Sequence, residues 1–272
     1  MEKKLKSWQG WLLFGGTMVV VFVLGMIAAS VNERHAEVSS VMNNKKTEIT
    51  GIEARNDKFE PNYPREYQTW EATADTSFKS LYNGNQAVDV LEARPEMVIL
   101  WAGYAFSKDY STPRGHMYAI EDMRNTLRVG APMTENEGPQ PATCWTCKSP
   151  DVPRMMQAMG VDNFYKGKWA SLGKEIVNPI GCADCHEPEN MNLHISRPAL
   201  IEAFQRQGKD ITKATQQEMR SLVCAQCHVE YYFKGDGKYL TFPWDKGFSV
   251  EDMEAYYDEA DFADYTHALS KA

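Results

Sequence analysis

The sequence has no surplus of basic charge. Its 29 Lys and Arg stand against 37 Asp and Glu, a net charge of −8. Nucleic-acid binding needs a basic face to displace counterions, so no nucleic-acid partner is expected. It has no cysteine outside a pair: the six fall as Cys144/Cys147, Cys182/Cys185 and Cys224/Cys227, which argues against a random scatter of thiols. It has no repeat of fixed period, because what recurs is the cysteine pair and not a fold unit. With 43% hydrophobic and 24% charged side chains, it is neither wholly disordered, collagen-like nor fully embedded in a membrane.

What is present first is an address segment. Lys3, Lys4 and Lys6 precede an uncharged apolar run from Trp11 to Ala29, and Glu33 and Arg34 resume the polar sequence. As a helix this run is about 28 Å long, enough to cross a bilayer, with the basic side in the cytoplasm. Its length favours an uncleaved anchor, whereas Ala28, Ala29 and Ser30 would suit a signal peptidase. Both readings export the body, so a periplasmic protein is expected, anchored to the inner membrane by residues 11–29 if the segment stays. Residues 1–30 are therefore read as signal peptide or signal anchor, 31–65 as a polar spacer with little structure, and 66–272 as the functional domain.

The body reads as mainly α with long loops and little β. Residues 83–91 and 95–106 are helical candidates, the second opening on Pro95. His116, Ile120, Met123 and Leu127 recur at helical spacing, which puts His116 on a core-facing side. Thr215 to Glu218 form a capping box for a helix that should deliver Cys224 into the interior. YYFKGDGKYLTF reads as a hairpin turning at Gly235 to Gly237, and Ser249 caps a last helix.

Two cysteine pairs are followed at once by histidine, giving CADCH (Cys182 to His186) and CAQCH (Cys224 to His228). With six histidines in 272 residues, chance placement at both positions has odds of about one in two thousand. In haem c attachment the two thiols add to the vinyl groups and the next histidine becomes an axial iron ligand; the i, i+3, i+4 spacing puts all three on one helical face. Zinc would also take Cys-x-x-Cys pairs but gives no reason for the histidine. Disulfides suit an exported protein but not three identical gaps, and a thioredoxin-like site needs one pair, not three. The first motif reads CWTCK, with Lys148 in the histidine position. Either Lys148 is a solvated lysine beside a pair without haem, or its amine ligates iron, which requires burial and the metal to remove its proton.

CWTCKSPDVPR resembles the pentahaem cytochrome c nitrite reductases that form ammonia, in which CxxCK marks the catalytic haem. VILWAGYAFSKDY, PRGHMYAIEDMRNTLRVGAP, GKWASLGKEIVNPIGCADCH and VCAQCHVEYYFKG are similar to that family too. The resemblance implies a multihaem cytochrome with haems forming much of the core, performing six-electron reduction of nitrite to ammonium. It places the catalytic haem at Cys144, Cys147 and Lys148, with an open iron position for nitrite. Arg128 and Tyr231 match the arginine and tyrosine placed over the substrate; without the family they read as a helix-end charge and a core aromatic. Glu230 and the Tyr231 carbonyl match a calcium site, although a lone Glu otherwise reads as a surface acid. His116 matches the distal ligand of the haem held by Cys224, Cys227 and His228, where the plain reading is a hydrogen-bonded core histidine. His194 and His267 have no counterpart, and His35 reads as solvated.

The resemblance also implies an electron donor, either a membrane multihaem quinol dehydrogenase or a soluble multihaem cytochrome, and a homodimer. It places two further haem motifs, a catalytic histidine, the remaining calcium ligands and the dimer helices after ALSKA. The expectation is therefore a fragment or a truncated product, for which a non-catalytic multihaem electron carrier is the alternative function.

Overall fold

The computed structural model describes residues 6–43, 45–79, 81, 86–127 and 140–261. The chain divides between Thr47 and Glu48 into two units. The first carries a helix, Ser7–Asn43, with exposed apolar side chains along its whole apolar stretch. Its apolar part is long enough to cross a membrane by length and composition, with a mean hydropathy of 2.4. The helix continues through residues 31–43, which were expected to be unstructured: nothing from Val31 to Asn43 is Gly or Pro, so no residue stops it.

The second unit is mainly α with one small hairpin, as expected. Residues 48–65 do not behave as a spacer. Ile49, Phe59 and Tyr63 are buried together with Ala183 of the CADCH motif, because this stretch spaces apolar side chains among its charges. Short helices follow at Pro64–Glu71, Val90–Ala93 and Glu96–Leu100, the last capped by Pro95. The helical reading of residues 83–91 lies partly outside the described residues, and only its end is helical, starting where Asp89 accepts hydrogen bonds from the Leu91 and Glu92 amides. The helix expected from the spacing around His116 is a 3-10 turn, His116–Tyr118, running into Ala119–Asn125.

The main core gathers around the first motif. Trp145 stacks on Trp169 at 3.6 Å, and its indole Nε1 donates to the Trp169 carbonyl at 3.0 Å. Helices Asp151–Met159, Val161–Lys166 and Pro198–Arg206 close over this pair with Val152, Met155, Phe164, Tyr165, Ala199 and Leu200. The helix Gln216–Ala225 begins with the reciprocal capping of Thr215 and Glu218. The hairpin pairs Tyr232–Lys234 with Tyr239–Thr241 in antiparallel register, Phe233 opposite Leu240. Ser249 caps the helix Val250–Glu259 with Asp252 as its reciprocal partner.

Candidate functional site

Each cysteine motif is a short turn with its own hydrogen bonds. In CADCH, Cys182–Cys185 is one helical turn and the His186 amide donates to the Cys182 carbonyl at 2.9 Å. CAQCH ends the helix Gln216–Ala225, and the His228 amide donates to the Cys224 carbonyl, also at 2.9 Å. In CWTCK the turn Ala142–Trp145 is 3-10, and the Lys148 amide reaches Trp145 instead. The lysine motif thus differs from the other two in backbone as well as in side chain. None of the six cysteines is joined to another in a disulfide.

One expectation about these thiols is corrected. Cys224 is exposed and not carried into the interior. Its helix turns Met219, Leu222 and Val223 to the core, and Cys224 lies about 100° beyond Val223 around the axis. Burial pushes Cys144, Cys182 and Cys185 up to about 11. Cys147 is held below the usual thiol value, foremost by Cys227; burial opposes this, and Arg197 and Lys148 assist. The first and third motifs therefore approach each other at Cys147 and Cys227.

The histidines predicted to share one iron also meet. The ring centroids of His116 and His228 are 6.1 Å apart and tilted by 42°. A metal–imidazole bond of about 2.0 Å, plus about 1.1 Å from that nitrogen to the ring centre, would set two rings on one metal about 6.2 Å apart. The separation of this pair matches that value. Both rings are exposed, so His116 does not face the core as its spacing suggested; crowding by neighbouring atoms is nonetheless the foremost cause that lowers its pKa, favouring the neutral form that ligates metal. His186 fits as well. Its Nδ1 lies 2.7 Å from the Met191 carbonyl, an acceptor that puts the proton on Nδ1 and leaves Nε2 as the ligating atom.

Of the remaining predicted residues, Lys148 is half-buried, and Tyr231 is 43% exposed with its ring 5.7 Å from Phe233. Glu230 is exposed and accepts a hydrogen bond from the Tyr232 hydroxyl at 2.7 Å. Among the described residues no group of three or more His, Cys, Asp or Glu is gathered as a metal site. Arg128 and His267 lie outside the described residues. His194 lines a cavity of about 480 Å3 with Glu187, Glu189 and Ile52; its Nδ1 is buried with no protein partner among the described residues.

Sequence reasoning missed the group that joins the three motifs. The second residue between the cysteines is Thr146, Asp184 and Gln226 in turn, and all three are buried. Arg197, fully buried, donates from Nε to the Thr146 carbonyl at 2.7 Å, from Nη2 to the Ser149 carbonyl at 3.0 Å, and from Nη2 to Asp184 Oδ1 at 2.5 Å. Gln226 Oε1 accepts from the Ser196 and Arg197 amides at 3.1 and 3.2 Å, while its Nε2 donates to the Asp184 carbonyl at 2.7 Å. A polar residue at the same place in all three motifs was the available signal.

Known proteins share this sequence and this fold. The family model described as Cytochrome c552 matches residues 55–272. Proteins named cytochrome c-552 from Parabacteroides distasonis and Bacteroides fragilis are 97% and 79% identical to the chain over all 272 residues. These residues make up 55% of each relative, so the chain spans about half the length of the curated relatives it matches. Among solved structures, the catalytic subunit of cytochrome c nitrite reductase from Desulfovibrio desulfuricans, described with two calcium sites, is 33% identical. It superposes with a TM-score of 0.73 over 83% of this chain and 53% of that one.

Proposed function

The chain belongs to the cytochrome c552 family, and from that premise we propose that it is part of an exported multihaem c-type cytochrome that reduces nitrite to ammonium. The observation that carries the haem reading is the pair His116 and His228, 112 positions apart in sequence yet 6.1 Å apart in space. The catalytic reading rests on CWTCK and on the likeness to the nitrite reductase subunit.

In this reading Cys144, Cys147 and Lys148 would hold the catalytic haem. Cys182, Cys185 and His186 would hold a second haem, and Cys224, Cys227, His228 and His116 a third. Bound haem would supply iron that cycles between oxidation states and can take substrate. The chain's own side chains do the rest. The Arg128 guanidinium attracts the nitrite anion and donates hydrogen bonds to its oxygens, and the Tyr231 hydroxyl donates or relays protons. Met191 holds the proton of His186 on Nδ1.

Calcium fits less well. Glu230 and the Tyr231 carbonyl provide two oxygens, and calcium takes six to eight. The other donors would have to come from outside the described residues, so no step is assigned to the ion. Electrons would arrive from a membrane quinol dehydrogenase or a soluble multihaem cytochrome, and the working form would be a homodimer, as the family resemblance implies. Residues 11–29 would keep the protein at the periplasmic face of the inner membrane.

Pyridine haemochrome analysis of the matured chain should count three covalent haems, and a count of two would show that CWTCK is unused. Nitrite reduction by a reduced viologen should fall by about a hundredfold or more in Arg128→Ala, and by a large factor in Lys148→His. Three haems without turnover would leave the non-catalytic electron carrier as the function of this chain.

A further inference from the structure

The turns carrying the first and second motifs meet at one buried ion pair, and that pair has a direction. The Arg197 guanidinium lies on the lysine motif: the carbonyls it takes, Thr146 and Ser149, bracket Cys147 and Lys148. The Asp184 carboxylate belongs to the other turn. It sits between Cys182 and Cys185 in sequence, and its Oδ2 accepts from the Gly181 amide at 2.8 Å. Both side chains are almost wholly withdrawn from solvent, at 1% and 4% exposure. The positive end of the pair therefore lies on the Thr146–Ser149 backbone that carries Cys147 and Lys148, and the negative end within the Cys182–His186 turn.

Holding the turns together does not require charge. Gln226, a neutral amide, bridges the second and third motifs through the Asp184 carbonyl and the Ser196 and Arg197 amides. An ion pair in the same place carries a desolvation cost that an amide does not. What it adds is a fixed field, felt strongly at low dielectric, and one that stays on because arginine does not lose its proton.

We propose that the Arg197–Asp184 pair is a redox-positioning device that raises the potential of the haem held by Cys144, Cys147 and Lys148 relative to the haem held by Cys182, Cys185 and His186. It rests on the haem reading above. A buried cation stabilises the reduced form of its neighbour, which carries one positive charge fewer, and a buried anion does the opposite. An electron shared between the two centres is thereby favoured at the lysine-ligated one, where substrate would be reduced.

The test is a spectroelectrochemical titration of the haem-loaded chain, with covalent haem counted in every variant. The lysine-ligated couple is identified as the one missing from Cys144→Ala/Cys147→Ala. Arg197→Gln should lower both potentials and Asp184→Asn should raise both, each narrowing the gap between the two couples. The double variant Arg197→Gln/Asp184→Asn leaves no unpaired buried charge, so it remains measurable if the single variants fail to fold. In it the gap should narrow by about a tenfold change in the reduced-to-oxidised ratio, about 59 mV for a one-electron couple. Arg197→Lys, which keeps the charge but not the fork of donors, should keep the gap. Three haems with an unchanged gap in the double variant, or Arg197→Lys behaving like Arg197→Gln, would overturn the proposal alone. No covalent haem in the unmodified chain would overturn the haem reading and this proposal with it.

Discussion

His116 owes its position to the residue before it. Gly115 has φ 92 and ψ −167, a region open essentially to glycine alone, where another residue costs about 1–3 kcal/mol. No other atom stands where a Cβ on Gly115 would be placed, so any penalty in Gly115→Ala comes from the backbone. That variant should lose about 1–3 kcal/mol in chemical denaturation. It should also alter the low-spin electron paramagnetic resonance signal of the haem proposed at Cys224 and Cys227, since the turn that presents His116 must rotate. An unchanged signal would separate His116 from that iron. The histidines and cysteines were legible in the sequence because each motif spells out its chemistry over a few residues. Arg197 was not, because a lone arginine gives no hint that burial will join it to two turns 13 to 51 positions away. Met191 escaped notice for the same reason, as it acts through its carbonyl and not its side chain.

At the scale of elements, caps were the most readable feature. The Thr215–Glu218 box and the Ser249 cap were both expected; both close reciprocally, the second through Asp252, which was not foreseen. Thr215→Ala should lower stability by about 1 kcal/mol, measurable as a smaller denaturant midpoint at unchanged slope. Elements held by tertiary contacts were harder to read, as residues 48–65 show. Their charges spelled spacer, yet the Asn56 side chain accepts from the Cys182 amide and donates to the Pro179 carbonyl. Asp151 makes a similar long-range tie. Its carboxylate accepts from the amides of Val177 and Asn178, both at 2.9 Å. Burial pushes its pKa up, but these donors, with the Asn178 side chain and Arg154, outweigh burial and hold it below the usual 3.8. The ionised form is the one that stabilises the fold. Its contribution is present above the ordinary aspartate value and is lost as pH falls through the depressed one. Asp151→Asn should therefore cost roughly 1–3 kcal/mol at neutral pH, and the difference from the parent chain should shrink below about pH 4 in an acid titration followed by circular dichroism.

At the scale of the whole molecule, the polypeptide core is unevenly distributed. Between Pro64 and Leu127, Ile120 is the one buried side chain among the described residues, while Ile99, Leu100 and Leu81 are 80%, 67% and 87% exposed. Residues 140–245 contain most of the buried aromatics and all three motifs. A segment with few buried contacts opens at low free energy, and a group that binds only the closed form raises that free energy. If haem supplies much of the core, as the family resemblance implies, it should tighten residues 64–127 more than it tightens the Trp145–Trp169 core, which packs without it. His116 lies in the first segment and His228 in the second, so one axial pair would join the two. Hydrogen exchange by mass spectrometry should show fast exchange across 86–127 in haem-free chain. Exchange there should slow by an order of magnitude or more in haem-loaded chain, with a smaller change across 145–170. His116→Ala in the loaded chain should restore fast exchange to the first segment alone. Equal protection of residues 86–127 with and without haem would mean that the polypeptide orders this segment unaided, and that His116 and His228 are neighbours for packing and not for iron.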